Sequence, residues 1–476
     1  MQQPRTQAGV VEAPKVFQRF LKTTKRLVIT AAQNATPVHS AFLQSLEAYA
    51  LENSAELLVV PLRYKNPTSV WSKRQESREW WDPAVVKYLW NTRRTINDNL
   101  ILMADIKTEA AASEPLRGFE SISGPESAIF GHTKLQLRTI PVPKTKLPKL
   151  LTTTGAVTIK NYTDTKRGKL GEFHHSFSAV IVEFEDKIFH LRHVHADKET
   201  GEFTDLTKRY GPKGSRPAPA PEAIVLGDTH VDFVDPAVER GTFGEGGLVE
   251  TLQPKRLVFH DLLDSYSVNP HHAGNPFNAI AKLRAGRLSA GAEVARAIEY
   301  VSARTSSTRH GVVVSSNHDD MLRRWIVKAD WKEDPTNAEF YLATALAMVK
   351  ATKLGVGGTE YPSPFGMLLA SAGSNVTALS GDESLVVAGV ELGMHGDVGP
   401  SGAPGSIRGL RRIGTRSIIG HSHTPGIEEG CYQVGTSSYL RLEYNRGPSS
   451  WLNTHCILHA DGKRQLINII DGTWRM

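Results

Sequence analysis

The chain has 476 residues, 40% of them hydrophobic, 22% charged and eight of them Trp, which excludes a disordered or fibrous polymer and exceeds what one hydrophobic core ordinarily holds. No run of about 18 apolar residues occurs, so no membrane-spanning helix is expected. The net charge of +7 is unevenly spread: residues 1–220 hold 32 Lys and Arg against 22 Asp and Glu, and the remainder 24 against 27. A basic half beside a slightly acidic one fits a polyanion-binding module joined to a cation-binding one, and equally an ordinary basic surface.

The first residues, Met1 to Pro14, lack the basic, apolar and small-residue blocks of a secretory signal, so the protein is expected in the cytoplasm. Leu27 to Thr30 reads as a buried strand, Val38 to Tyr49 as a helix with Phe42, Leu43 and Leu46 on one face, and Leu57 to Leu62 as a second strand. That order predicts an amino-terminal α/β domain, residues 1–207, for substrate or partner binding. Between Trp71 and Arg94, Trp80, Trp81, Tyr88 and Trp90 are interleaved with Arg74, Arg78, Arg93 and Arg94. Such a pattern suits base stacking with phosphate neutralisation; helical spacing of Trp81, Val85, Tyr88 and Leu89 suits a core edge instead. Ser178 to Phe184 and Lys187 to His195 read as a hairpin.

Residues 208–221, KRYGPKGSRPAPAP, carry four prolines, two glycines and four basic residues without apolar period, the composition of an exposed linker. Beyond it, residues 222–476 show short strands at Ala223 to Leu226, Leu257 to Phe259, Val312 to Val314, Leu385 to Val390 and Ser417 to Ile419, each followed by ligand-type residues. No internal repeat is visible. Cys431 and Cys456 read as buried thiols.

The ligand-type residues fall in five groups: Asp228 and His230 in GDTH, Asp261 in FHDLLD, Asn317 and His318 in SSNHDD, His395 in GMHGD, and His421 and His423 in GHSH. In order and spacing they resemble the motif set of the calcineurin-like metallophosphoesterases, with His260 and Ser316 where that family usually has glycine. The resemblance implies a four-layer αββα sandwich for the carboxy-terminal domain. It also implies two divalent cations, one held by Asp228, His230, Asp261 and His423, the other by Asp261, Asn317, His395 and His421. His318 would protonate the leaving alkoxide, and Asp264 would orient a ligand. Manganese is the expected metal from the nuclease branch that the chain resembles, with iron, zinc or magnesium as alternatives.

The metal set alone specifies phosphoester hydrolysis, and the basic half, the basic linker and the SIRGLRR run with Arg408, Arg411 and Arg412 point to DNA. His260 and these three arginines are candidate substrate contacts, and His271 and His272 are either loop histidines or phosphate contacts. The chemistry is similar to that of Mre-type and SbcD-type nucleases, and the QNATPVH segment, Gln33 to His39, joined to such a domain resembles the pre-early DNA-transfer proteins of T-five-like bacteriophages. The expectation is therefore a phage-encoded deoxyribonuclease that degrades host DNA in the host cytoplasm. A homo-oligomer and a second phage or host protein are further candidate partners. A phosphatase or small-molecule phosphodiesterase, and a non-catalytic scaffold, are the alternatives.

Overall fold

The computed structural model describes residues 25–62, 80–109, 111–143, 147–356, 358–373, 375–443 and 445–475. It is a mixed α/β structure built on three large sheets. One has four strands in the order Glu56–Leu62, Arg26–Gln33, Ser178–Phe184, Phe189–His195. A second has six, in the order Val376–Ala378, His310–Val313, Arg256–Phe259, Ala223–Val225, Thr454–Leu458, Arg464–Asn468. The third has ten: Val386–Val387, Val390–Glu391, Ser417–Ile419, Cys431–Gln433, Gly426–Glu428, Gln136–Ile140, Lys149–Thr153, Ser127–Phe130, Leu100–Met103 and Arg93–Asn97.

Alternation along the strands assigns the layers. Leu27, Ile29 and Ala31 share one buried core with Val225 and Val258 of the six-stranded sheet and Leu102, Leu137, Ile418 and Val434 of the ten-stranded one. The intervening Val28 and Ala32 face the other way, onto Phe42, Leu43, Leu46 and Tyr49 of helix Ser40–Glu52. Likewise Ile224, Leu257 and Phe259 turn outward onto Val294, Ala297 and Val301 of helix Ala290–Arg304 and onto Leu322 and Ile326 of helix Asn317–Lys328. The ten-stranded sheet thus packs across both smaller sheets, whose neighbouring edges meet where Gln465 Nε2 donates to the His193 carbonyl at 3.1 Å.

This arrangement corrects the expected division into separate domains. The ten-stranded sheet is continuous through the antiparallel pairing of Gln136–Ile140 with Gly426–Glu428, so both halves of the chain share one sheet and one core. The expected linker is also corrected: Lys208–Gly211 and Gly214–Pro217 form a hairpin that extends strand Phe203–Asp205. Pro212 falls in the turn and Pro217 at an edge, where a missing N–H is tolerated. Tyr210 is buried, while Arg209 and Arg216 close on Glu202 at 3.0 and 2.7 Å. The predicted strand Leu385 to Val390 is two short antiparallel strands.

The two halves repeat one topology, although no repeat is legible in the sequence. The four-stranded sheet matches four strands of the six-stranded one: in each set the first two strands are parallel, the third is antiparallel to the first and the fourth to the third, while His310–Val313 and Val376–Ala378 extend the six-stranded sheet in parallel without a counterpart in the other. In the large sheet, each half runs outward from the central pair as antiparallel, parallel, parallel, antiparallel. Single hydrogen bonds correspond as well: Val434 N to Ile419 O matches Thr154 N to Phe130 O, and Ser437 N to Asp228 O matches Val157 N to Ala31 O. Gly131-His132-Thr133-Lys134 therefore stands where Gly420-His421-Ser422-His423 stands in the other half, and Ala31 stands where Asp228 does. The strand registers extend the match, placing Val60 where the other half has Asp261. Backbone pairing does not depend on side-chain identity, so the same fold is held in this half without the motif.

Candidate metal centre

The five groups of ligand-type residues converge at the carboxyl ends of strands from two facing sheets, where loops are free to vary. Asp228 and His230 follow Ala223–Val225, Asp261 follows Arg256–Phe259, and Asn317 and His318 open the helix that follows His310–Val313. His395 follows Val390–Glu391, and His421 and His423 follow Ser417–Ile419. Ser316 caps that helix in a reciprocal capping box with Asp319, which fixes where Asn317 and His318 begin.

The donor atoms crowd together. His230 Nε2 lies 3.0 Å from His423 Nε2 and 3.6 Å from Asp261 Oδ2. His395 Nε2 lies 3.2 Å from Asp261 Oδ2, His423 Nε2 3.2 Å from Asp228 Oδ2, and His421 Nδ1 3.2 Å from Asn317 Oδ1. Asp228, His230, Asp261, His395 and His423 are all buried. The structure thus brings the seven predicted ligands to one place, with Asp261 between the His230 and His395 sides.

Several of these residues have a backbone that side chains other than glycine rarely adopt. φ is +46° at His230, +42° at Asp261, +74° at His421 and +57° at His423. Such strain costs on the order of 1–3 kcal/mol per residue and persists where the surroundings enforce it, as functional sites do. Gly420 is required by close approach, since a Cβ there would lie 2.2 Å from Asp228 Oδ1.

Charge at the centre is unbalanced in a way that suits cations. Burial, together with the Asp261 carboxylate, raises Asp228 to about 7. Against its own burial, Asp261 is held well below the usual carboxylate range by His395 and His318. Burial also opposes the protonation of His230 and His395, yet the Asp264 hydrogen bond and Asp261 lift the first to about 9, and Asp261 lifts the second to about 9. Among the described residues, neither Asp228 oxygen nor Asp261 Oδ1 has a hydrogen-bond partner of good geometry. Buried carboxylate oxygens in that state are costly unless a cation accepts their charge. The mixed carboxylate, amide and imidazole donor set fits borderline divalent ions such as manganese, iron or zinc.

The second layer is equally specific. Asp264 Oδ1 lies 2.9 Å from His230 Nδ1, which leaves His230 Nε2 to face Asp261 and His423. The Asp264 carbonyl accepts a hydrogen bond from His318 Nδ1 at 2.7 Å, so Nε2 is the free nitrogen of a ring whose side chain is 14% exposed. Trp451, a residue without any motif to announce it, sets its ring against His423 at 4.1 Å.

Other candidates are placed differently. His260, expected to touch substrate, is fully buried among the donor atoms, with Nδ1 3.3 Å from His395 Nδ1 and a ring nitrogen close enough to Asp228 and His395 to share a cation with them, and burial pushes it down to about 3. It can pack against His395 but has no surface to offer a substrate. Arg411 is tied to Glu428 at 2.9 Å and Glu114 at 3.4 Å, and so is not a free phosphate contact. Arg408 reaches Glu114 at 3.7 Å but stays half exposed, and Arg412 is exposed. His272 packs on Tyr266 near Glu443, while His271 is exposed. Trp81 and Val85 are buried in the helix-side core with Tyr88 and Leu89 against it, which removes Trp81 as a stacking platform. Trp71, Arg74 and Arg78 lie outside the described residues.

Comparison with known proteins gives one decisive relationship. The chain is 32% identical to Protein A1 of Escherichia phage T5 over 488 aligned residues, covering 98% of this chain and 86% of that protein. The chain belongs to the family of phage T5 Protein A1. Membership extends over both halves, the duplicated amino-terminal one included, and accords with a T5-like phage origin. No protein-family model matches the chain, and no solved structure matches it. No helix of the described residues is long and apolar enough to cross a membrane.

Proposed function

We propose that the chain is a metal-dependent phosphodiesterase of the calcineurin-like type that cuts DNA, acting in an infected host cell on the host genome. The observation that carries this reading is the buried nest of Asp228, His230, Asp261, Asn317, His395, His421 and His423, with carboxylate oxygens lacking hydrogen-bond partners, at converging strand ends. Asp228, His230, Asp261 and His423 would hold one divalent ion and Asp261, Asn317, His395 and His421 a second, with manganese first among the candidates. Paired divalent ions supply neutralisation of a phosphodiester and acidification of water. The chain's own contribution is positional. Asp261 faces both sides of the nest, Asp264 fixes the His230 ring, and the Asp264 carbonyl fixes His318 so that its Nε2 is the atom able to carry a proton to a leaving alkoxide.

The four-layer sandwich implied by the motif set is supported by the packing of the six-stranded sheet, helices on its outer face and the large sheet on its inner face. DNA is supported by the basic amino-terminal half, by exposed Arg408 and Arg412, and by kinship with a phage protein. A phosphatase would use the same ligands. Incubating the purified protein and manganese with plasmid DNA, a bis-aryl phosphodiester and an aryl monoester, each with and without chelator, separates the readings. Chelator-sensitive nicking of plasmid is expected; turnover of the monoester without any cutting of DNA would overturn the nuclease reading. Binding to DNA should also weaken steeply with salt.

A further inference from the structure

The crevice between the duplicated halves is chemically the inverse of the metal centre. It holds a cavity of about 400 Å³ lined by Lys134, Arg411, Arg416, Arg464, His174 and His195 among others, with Glu429 as its one acid. Glu429 is already engaged by Lys134 Nζ at 3.0 Å, and Arg411 by its own two glutamates. Arg464 is different. It is 7% exposed and has no carboxylate partner among the described residues: Nη1 donates to the Ser417 and Gly430 carbonyls at 2.9 and 2.7 Å, the guanidinium lies 4.0 Å from the Tyr432 ring centre, and Nε has no acceptor. Exposed Arg416 stands beside it, donating only a long bond of 3.4 Å to the Gly462 carbonyl.

The repeated topology accounts for one of these charges: Lys134 occupies the position that His423 holds in the other half, with Ala31 and Val60 in place of the two carboxylates, while Arg411, Arg416 and Arg464 come from the carboxy-terminal half. Burial first, then Lys134 for His174 and His193 followed by Arg464 for His195, holds both rings below the usual histidine range, with Glu429, 3.9 Å from His174 Nε2, acting the other way on His174. Phe173, 79% exposed, adds a flat apolar surface at the rim.

We propose that this cavity binds a phosphate-bearing anion of mononucleotide size, with Arg464 and Arg416 taking the phosphate and Phe173 lying against the base. The site is separate from the metal nest, so its test is independent of the nuclease reading. The full chain, held in chelator, is titrated calorimetrically with deoxyadenosine monophosphate, inorganic phosphate and deoxyadenosine. The expected result is saturable binding of the nucleotide, competition by phosphate and none by the nucleoside alone, unchanged in Asp261→Ala. Arg416→Glu and Arg464→Lys should each weaken binding at least tenfold, and Phe173→Ala should weaken the nucleotide but not phosphate. If Arg464→Lys fails to fold, Arg416→Glu decides alone. Absence of saturable nucleotide binding at millimolar concentration, loss of binding in Asp261→Ala, or full binding by Arg416→Glu overturns the proposal.

Discussion

Replacing Asp264 by Asn isolates the charge behind the proposed metal ligands while preserving their shape. Asp264 Oδ1 lies 2.9 Å from His230 Nδ1, both side chains are buried, and the carboxylate is among the groups that raise His230 to about 9. A hydrogen bond to a charged group is worth about 1.5–3 kcal/mol, and loss of a partner behind a metal-ligating histidine typically costs about 10–100-fold in metal affinity. Asn keeps an acceptor oxygen for Nδ1–H but not the charge, so its expected effect is near the lower end, about tenfold weaker manganese binding. Asp264→Ala, which also loses the acceptor, belongs near a hundredfold. Both leave the Asp264 carbonyl that orients His318, so turnover at saturating manganese should change far less than affinity. Calorimetric titration of manganese into each variant, with turnover measured at saturating metal, gives both numbers. Unchanged affinity in Asp264→Ala, with the fold intact by circular dichroism, would refute the claim that Asp264 acts by setting the His230 tautomer.

Three further outcomes are expected. His318→Ala should retain manganese but lose about 10²–10⁴ in turnover, the usual contribution of a positioned proton donor; equal turnover would remove that role. Gly420→Ala would place a Cβ 2.2 Å from Asp228 Oδ1, so metal binding should collapse while the secondary structure, read by circular dichroism, persists. Burial pushes His132 and His193 down to about 4 and His175 to about 3, below an unfolded value of about 6.5. The unfolded chain then binds more protons, so stability is full above that value and falls as pH drops toward the folded ones. At about pH 5 each costs about 2 kcal/mol, about 6 together, and urea midpoints that do not move between neutral pH and pH 5 would contradict their burial as neutral rings.

The candidate site was more legible in the sequence than the fold around it. Ligand-type polar residues following short buried strands are a local pattern, and the seven that the family resemblance names as ligands are those the loops bring together. For His260, position beside Asp261 says nothing about which way a ring turns; here it turns inward, against His395 and Asp228. Arg411 looked available because its partners, Glu114 and Glu428, are far away in sequence. The supposed linker shows the same limit, since Pro212 and Pro217 sit at a turn and an edge where a hairpin tolerates them. The duplication was invisible for a different reason: Ala31 and Val60 carry no trace of the carboxylates opposite them, and only strand order and hydrogen-bond register preserve the relationship.

The pairing of Gln136–Ile140 with Gly426–Glu428 makes this chain its own dimer, with the two would-be subunits fused in one polypeptide. Severing them would leave each fragment with a raw strand edge, open to adhesion with any other. Neither half is therefore a workable truncation product. A permanent tether also lets one half dispense with the ligand-type residues, because the half that carries them is always present in equal number.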